Sequence, residues 1–267
     1  MHNLCRLLQS YLTVLLLLAG LCLHSSTNAY SAQSVSRGRI DAEIETQRQR
    51  LTSAEVEDRR DALMKLGALR RADASRVAMA GLTDAAPMVR AVAAKAILSL
   101  GPDESVTALI PLTADKDEFV RRESAYALGL TRSRKASEAL TSLLMNDKED
   151  GVRAAAAVGL GEIGDETAVV NLSNVLSQVS GKKREKNVFV LRAAAKSLGQ
   201  TKSKAALPAL IAALSNEKFE EDVRREAANA LGIIGDPSAL PALRAAATSV
   251  DPYLSQAALA SIHRINP

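Results

Sequence analysis

Gly159-Leu160-Gly161-Glu162-Ile163-Gly164 has the spacing G-x-G-x-x-G, which can bring free backbone amides against a pyrophosphate, and Glu185 follows about 20 residues on, where a ribose hydroxyl would be met. That chemistry needs a strand before the glycines and a helix beginning at them. Here an Ala-rich helical stretch comes first, and the same turn recurs as Leu231-Gly232-Ile233-Ile234-Gly235. The glycines therefore read as a turn between helices. Metal ligands are scarce: His263 is the single His after residue 29, and both Cys residues, Cys5 and Cys22, precede residue 30. Carboxylates are the ligands left to a cation, and His263 reads as part of a terminal helix. Gly-x-Ser-x-Gly, His-Glu-x-x-His and Cys-His arrangements are all missing, so nucleophilic and zinc hydrolase mechanisms lack their parts. The residues point to no catalytic constellation and no cofactor.

The elements behind these glycines are repeats. Val89-Arg90-Ala91-Val92, Val120-Arg121-Arg122-Glu123, Val152-Arg153-Ala154-Ala155 and Val223-Arg224-Arg225-Glu226 are one pattern. With Arg90 as reference, equivalent positions fall at Arg59, Arg90, Arg121, Arg153, Leu191, Arg224 and Ser255, at spacings of 31, 31, 32, 38, 33 and 31. Within a unit, Val223, Ala227, Ala228, Leu231 and Ile234 share one face of a helix. A first helix precedes it, as in Ala205 to Leu214, and Asp236-Pro237 signals a helix start by N-cap and first-turn Pro. Gly67, Gly129, Gly161, Gly199 and Gly232 occupy the eighth position after the reference, and Gly101, Gly164 and Gly235 the eleventh; both sets are expected to end the second helix in tight turns. One helix pair cannot bury its apolar face alone, whereas a stack of pairs can.

These residues resemble HEAT repeats, in particular the short repeats of the phycocyanobilin lyase HEAT-like group, over about residues 40 to 265. The feature that carries the resemblance is an Asp six residues before the Arg: Asp84 with Arg90, Asp115 with Arg121, Asp147 with Arg153. The resemblance implies a ladder of such pairs between adjacent repeats, with the Asp in the inter-helix turn and the Arg opening the second helix. It also implies an all-α, right-handed α-solenoid of about seven helix pairs whose second helices line the concave side. Glu185 before Leu191, Lys218 before Arg224 and Ser249 before Ser255 depart from the pattern, so the ladder is expected to break there.

The exposed side of the second helices is the first candidate surface. Positions one and five after each reference lie one turn apart. Down the stack they give Arg60, Met64, Ala91, Lys95, Arg122, Tyr126, Ala154, Val158, Arg192, Lys196, Arg225, Asn229, Gln256 and Ala260. The stripe is basic with an apolar middle, and Asp61, Glu123 and Glu226 partly neutralise it. Arg60, Lys95, Arg122, Tyr126, Val158, Arg192, Lys196 and Arg225 are the expected partner contacts; an ordinary solvated face is the alternative. The second candidate is the insertion Gln178 to Asn187 in the fifth unit, where Lys182, Lys183, Arg184 and Lys186 form either a solvated loop or a basic contact.

Residues 1–29 read as an export signal: no acidic residue, Arg6 near the start, an apolar run Tyr11 to Leu23, and Thr27-Asn28-Ala29 before the expected cleavage point. Leu21 directly before Cys22 disfavours lipidation. An uncleaved anchor over residues 4–23 is the rival. Residues 30–40 read as a flexible linker, and 41–267 as the repeat domain. The chain carries 34 Lys and Arg against 30 Asp and Glu, a balance too mild for a dedicated nucleic-acid binder, and 3% aromatic residues supply little base stacking. The expectation is a non-catalytic scaffold, periplasmic or secreted, holding an extended or acidic protein or peptide on its concave face, with no small-molecule substrate evident. The alternatives are an enzyme or enzyme subunit like the bilin lyases or deoxyhypusine hydroxylase, an oxidoreductase whose His-Glu iron ligands this chain lacks, and, third, a nucleic-acid binder.

Overall fold

The computed structural model describes residues 37–177 and 187–267. The chain divides into two compact units, residues 1–49 and 50–267. In the first, the described residues are helical from 37, so helix (α1, residues 37–50) covers the last four residues of the segment expected as a linker. Within α1, Gln47 donates to Glu43 at 2.7 Å and Arg48 pairs with Glu45 at 3.0 Å. The export signal and the inserted basic residues lie outside the described residues.

The second unit is all-α among its described residues. It opens with α2 (Val56–Ala68) and continues in six pairs: α3 (Ala72–Ala78) with α4 (Pro87–Ala96), α5 (Pro102–Leu109) with α6 (Glu118–Leu130), α7 (Ser137–Asn146) with α8 (Asp150–Ile163), α9 (Val169–Ser177) with α10 (Val188–Thr201), α11 (Leu207–Ser215) with α12 (Glu221–Ile234), and α13 (Leu240–Ala246) with α14 (Pro252–Ile265). Each even-numbered helix packs on the next even-numbered one, which makes a solenoid. No helix among the described residues is long and apolar enough to cross a membrane.

Sequence periodicity becomes columns in space. Leu66, Ile97, Leu128, Leu160, Leu198 and Leu231, each seven residues past its reference, are fully buried. Ala62, Ala93, Ser124, Ala156, Ala194, Ala227 and Ala258, each three past it, are fully buried as well. The odd-numbered helices add Leu109, Leu140, Leu172, Leu210 and Leu243. Truncating one such Leu to Ala typically costs about 2–5 kcal/mol, because a stack with dry contacts on both sides relaxes little.

The two glycine sets separate. Those at the eleventh position turn the chain: Gly101, Gly164 and Gly235 have φ of 106°, 67° and 75°. Those at the eighth position do not end helices, contrary to expectation. Gly67, Gly129, Gly161, Gly199 and Gly232 lie inside α2, α6, α8, α10 and α12, where they let neighbouring helices approach. A Cβ on Gly129 would stand 2.5 Å from the Cα of Gly159, and one on Gly199 2.8 Å from the Cα of Ala230. Backbone proximity sets these residues, and periodicity alone does not reveal it.

The Asp–Arg ladder forms with a different pairing from the one in the sequence. Arg59 grips Asp84 with Nε at 2.7 Å and Nη2 at 2.9 Å, Arg90 grips Asp115 at 2.7 Å with both, and Arg121 grips Asp147 at 2.7 and 3.1 Å. Each carboxylate thus pairs with the Arg of the preceding repeat. The Arg six residues on takes the backbone instead: Arg90 Nη1 donates to the carbonyl of Asp84 at 2.7 Å, and Arg121 Nη1 to that of Asp115 at 2.9 Å. Each Asp also accepts the amide two residues on, as in Ala86 to Asp84 at 2.8 Å. The Arg59 and Arg90 guanidinium groups hold the Asp84 and Asp115 carboxyls below their ordinary value. At Asp147 burial pushes upward most, and the Arg121 and Glu149 hydrogen bonds together outweigh it. The bidentate form explains why Arg and not Lys recurs. Arg153 turns to Asp150 at 2.8 Å and to the carbonyl of Leu144, and Arg224 to the carbonyl of Leu214, so the ladder stops where the Asp pattern lapses.

Candidate binding face

Small residues in the buried columns bring the even-numbered helices side by side, and their outward positions form one row. Its cations are largely spoken for. Arg60 pairs with Glu57 at 2.7 Å. Lys95 reaches across to Glu123 on α6 at 2.8 Å. Arg122 lies 4.9 Å over the Phe119 ring and 3.6 Å from Glu123. Arg192 pairs with Asp222 at 3.3 Å and Glu226 at 3.9 Å, and Arg225 shares Asp222 while lying 5.9 Å over the Tyr253 ring. Tyr126 and Val158 are half-buried, and Lys196 is exposed with no ion pair among the described residues. The structure therefore joins Lys95 and Arg122 through Glu123, and Arg192 and Arg225 through Asp222. Lys182, Lys183, Arg184 and Lys186 lie outside the described residues, but Asn187 from the same insertion caps α10 and donates to Asp150 at 2.7 Å.

An open cleft of about 590 Å3 lies between α2, α4 and the start of α6. Leu63, Met64, Gly67, Val92 and Phe119 line it, and the Lys95–Glu123 pair supplies its polar part. Met64 is 57% exposed, an apolar and adaptable side chain left to solvent. The sequence reading missed Phe119. A signal was present: two residues before the reference stand Met88, Phe119, Phe189 and Tyr253, a large apolar side chain in four units of seven. A smaller cleft of about 290 Å3 between α6 and α8 is polar and of mixed charge, with Glu118, Arg122, Lys148 and Asp150.

The glycine motif of residues 159–164 sits in the last turn of α8, with Gly164 in the left-handed cap, so helix precedes the glycines and no strand delivers them. Among the described residues no three His, Cys, Asp or Glu side chains gather as metal ligands.

The family model for HEAT repeats matches residues 44–129, 107–185 and 182–263. No curated protein matches the sequence. Among solved structures, YibA of Escherichia coli is 20% identical with a TM-score of 0.57, over 84% of this chain and 81% of that one. The complex of CpcE and CpcF of phycocyanin lyase from Nostoc sp. PCC7120 is 23% identical with a TM-score of 0.51, over 84% and 88%. An engineered protein is 22% identical with a TM-score of 0.51, over 84% and 68%. At these identities the likeness is one of fold.

Proposed function

Because the chain belongs to the HEAT-repeat family, we propose that it is a non-catalytic protein-binding scaffold acting outside the cytoplasm, which holds an extended protein segment along the row of even-numbered helices. The observation that supports this reading is the apolar cleft at Met64, Val92 and Phe119 within that row. Covering an exposed side chain such as Met64 contributes about 1.5–3 kcal/mol, and a long row adds many smaller contacts. The pairing of Lys95, Arg192 and Arg225 with carboxylates tempers the preference for an acidic partner. Such a partner must displace a carboxylate already in place, and Glu123 and Glu226, 13% and 23% exposed, hold their cations from sheltered positions, so the exchange gains little. Apolar anchors in the cleft thus contribute affinity, and the flanking charges contribute register. CpcE and CpcF stand in a complex, which agrees with a protein-binding use of this fold.

The test is capture from cell-envelope fractions by the full chain, by Met64→Glu, and by R122E/R192E/R225E. The expected result is a partner that the full chain retains and Met64→Glu loses. Loss with the triple variant alone restores the acidic-partner reading. Equal capture by all three moves the contact off the row and overturns the proposal. Iron at near stoichiometry or bilin transfer by the purified chain overturns its non-catalytic part. Protein recovered from the envelope should begin at Tyr30; recovery with Met1, held in the membrane fraction, supports the anchored alternative.

A further inference from the structure

Six turns lead from the even-numbered helix of one repeat into the next repeat, opening at Arg70, Gly101, Arg132, Gly164, Lys202 and Gly235. All six opening residues have positive φ, at 51°, 106°, 53°, 67°, 53° and 75° in chain order. A glycine takes this backbone freely, whereas a Cβ is strained there. Every second turn nonetheless carries a cation. The residues that follow keep the alternation in net charge: Arg71, itself paired with Asp73, then Asp103 and Glu104, then Arg134 and Lys135, then the buried Asp165 and the exposed Glu166, then Lys204, then Asp236. The turns thus run basic, acidic, basic, acidic, basic, acidic.

Ion pairs place these turns beside one another. Arg76 lies 3.7 Å from Glu104, Lys135 2.6 Å from Asp103, Arg132 3.7 Å from Glu162 and Lys204 2.9 Å from Asp236. The side chains of Lys135 and Asp103 are 67% and 65% exposed, so this pair sits in water and exchanges partners at little cost, whereas Glu162 and Asp236, 33% and 14% exposed, are more sheltered than the cations that reach them. Arg70, Lys202 and Glu166 are exposed and make no ion pair among the described residues. Local folding needs only a glycine at the opening position. The strained cations are better explained by something beyond the chain.

We propose that this edge pairs with the same edge of a second copy of the chain, antiparallel, about a two-fold axis between the third and fourth turns. That axis sets the first turn against the sixth, the second against the fifth and the third against the fourth. With alternating signs and an even number of turns, each juxtaposition joins opposite charge, and residue contacts are reciprocal as a two-fold interface requires. Parallel, in-register copies would set like against like. The axial contact joins Arg132 and Lys135 of each copy to Glu162 and Glu166 of the other. The proposal concerns a surface other than the cleft, and its outcome is independent of the scaffold reading.

Sedimentation velocity of the full chain tests it. The expected result is a dimer at low ionic strength whose dissociation constant rises at least about tenfold between 50 and 500 mM salt, because exposed charges are screened within a Debye length. R132E/K135E and E162K/E166K should each be monomeric. An equimolar mixture of the two should dimerise again, since both axial contacts then regain opposite charge, and this recovery also shows that each variant is folded. A chain that stays monomeric at 50 mM salt and about 100 µM, a concentration well above that at which a specific interface of modest strength associates, overturns the proposal. So does a dimer that ignores salt and both variants, or a mixture that remains monomeric.

Discussion

The first and second halves of the stack solve one problem with different chemistry. From α2 to α8 adjacent repeats are joined by bidentate Arg–Asp pairs whose Asp also closes the turn. From α6 to α14 they are joined by backbone approach, with a Gly of one helix against Gly159, Ser197, Ala230 or Ser261 of the next. Where the halves overlap, at α6 and α8, both devices operate. In the first half Gly67 is less tightly met, its added Cβ standing 3.1 Å from the Cα of Ala96, and α4 has Leu98 in the glycine register and gives way there to a 3-10 turn. Both devices thus join α2 to α4 and α6 to α8, and only between α4 and α6, where Leu98 holds the glycine register, does the ion pair act without a glycine contact.

The sharpest break of that contrast is Asp115→Ala, which leaves Arg90, 8% exposed, without its carboxylate. Removing one partner of a buried pair costs about 3–5 kcal/mol, and the value should fall at the low end because Arg90 keeps two carbonyls; urea unfolding followed by circular dichroism measures it. Gly199→Val should cost about 2–3 kcal/mol by overpacking against Ala230, with faster amide exchange centred on α10 and α12. Combined, the two losses should add, since the sites share no contacts; strong coupling would show that the halves do not act separately. Gly67→Ala should change stability by less than about 1 kcal/mol, since the helix-propensity gain opposes a tight contact that a shift of a few tenths of an ångström at Ala96 relieves. Lys95→Ala should cost under about 1 kcal/mol, because Lys95 is largely exposed and the sheltered Glu123 keeps Arg122 at 3.6 Å.

Acid separates the halves without mutation. Asp84, Asp115 and Asp147 have folded values below the ordinary one, so their contribution is full above the unfolded carboxyl value of about 3.9 and is lost as pH falls through the folded values. On acidification from pH 5 into the range below about 3.9, amide protection factors should therefore fall in α2 to α6 before α10 to α12; the turn after α12 also depends on a carboxyl, since the Ser238 and Lys204 hydrogen bonds lower Asp236 to about 2. Simultaneous opening would show that the ladder does not set the first half's stability.

Much of this fold is legible in the sequence because the stack repeats its own burial pattern. The columns through Leu66 and Leu231, the Pro237 helix start and the interruption of the ladder after Asp147 all follow from spacing. The partner of each Asp does not. Asp84 is six residues from Arg90 and 25 from Arg59, and only the turn geometry, which aims its carboxylate backwards and its carbonyl forwards, selects between them. The eighth-position glycines read as turn residues for a similar reason, since sequence cannot distinguish a residue that needs positive φ from one that must have no side chain. On the candidate face, spacing placed the cations in one row but did not pair them with Asp222 or Glu123. Phe119 escaped because it lies outside the two positions chosen as exposed.

The inter-repeat bonds of the ladder join residues only 25 or 26 apart. Loops of that one size cost about the same entropy to close each time, and none spans the whole stack. Folding can then begin at any repeat and pass from neighbour to neighbour, as a relay and not as one long-range search. Each step of such a relay is local: a charged turn is ordered in the first half of the stack, and a helix contact is dried in the second.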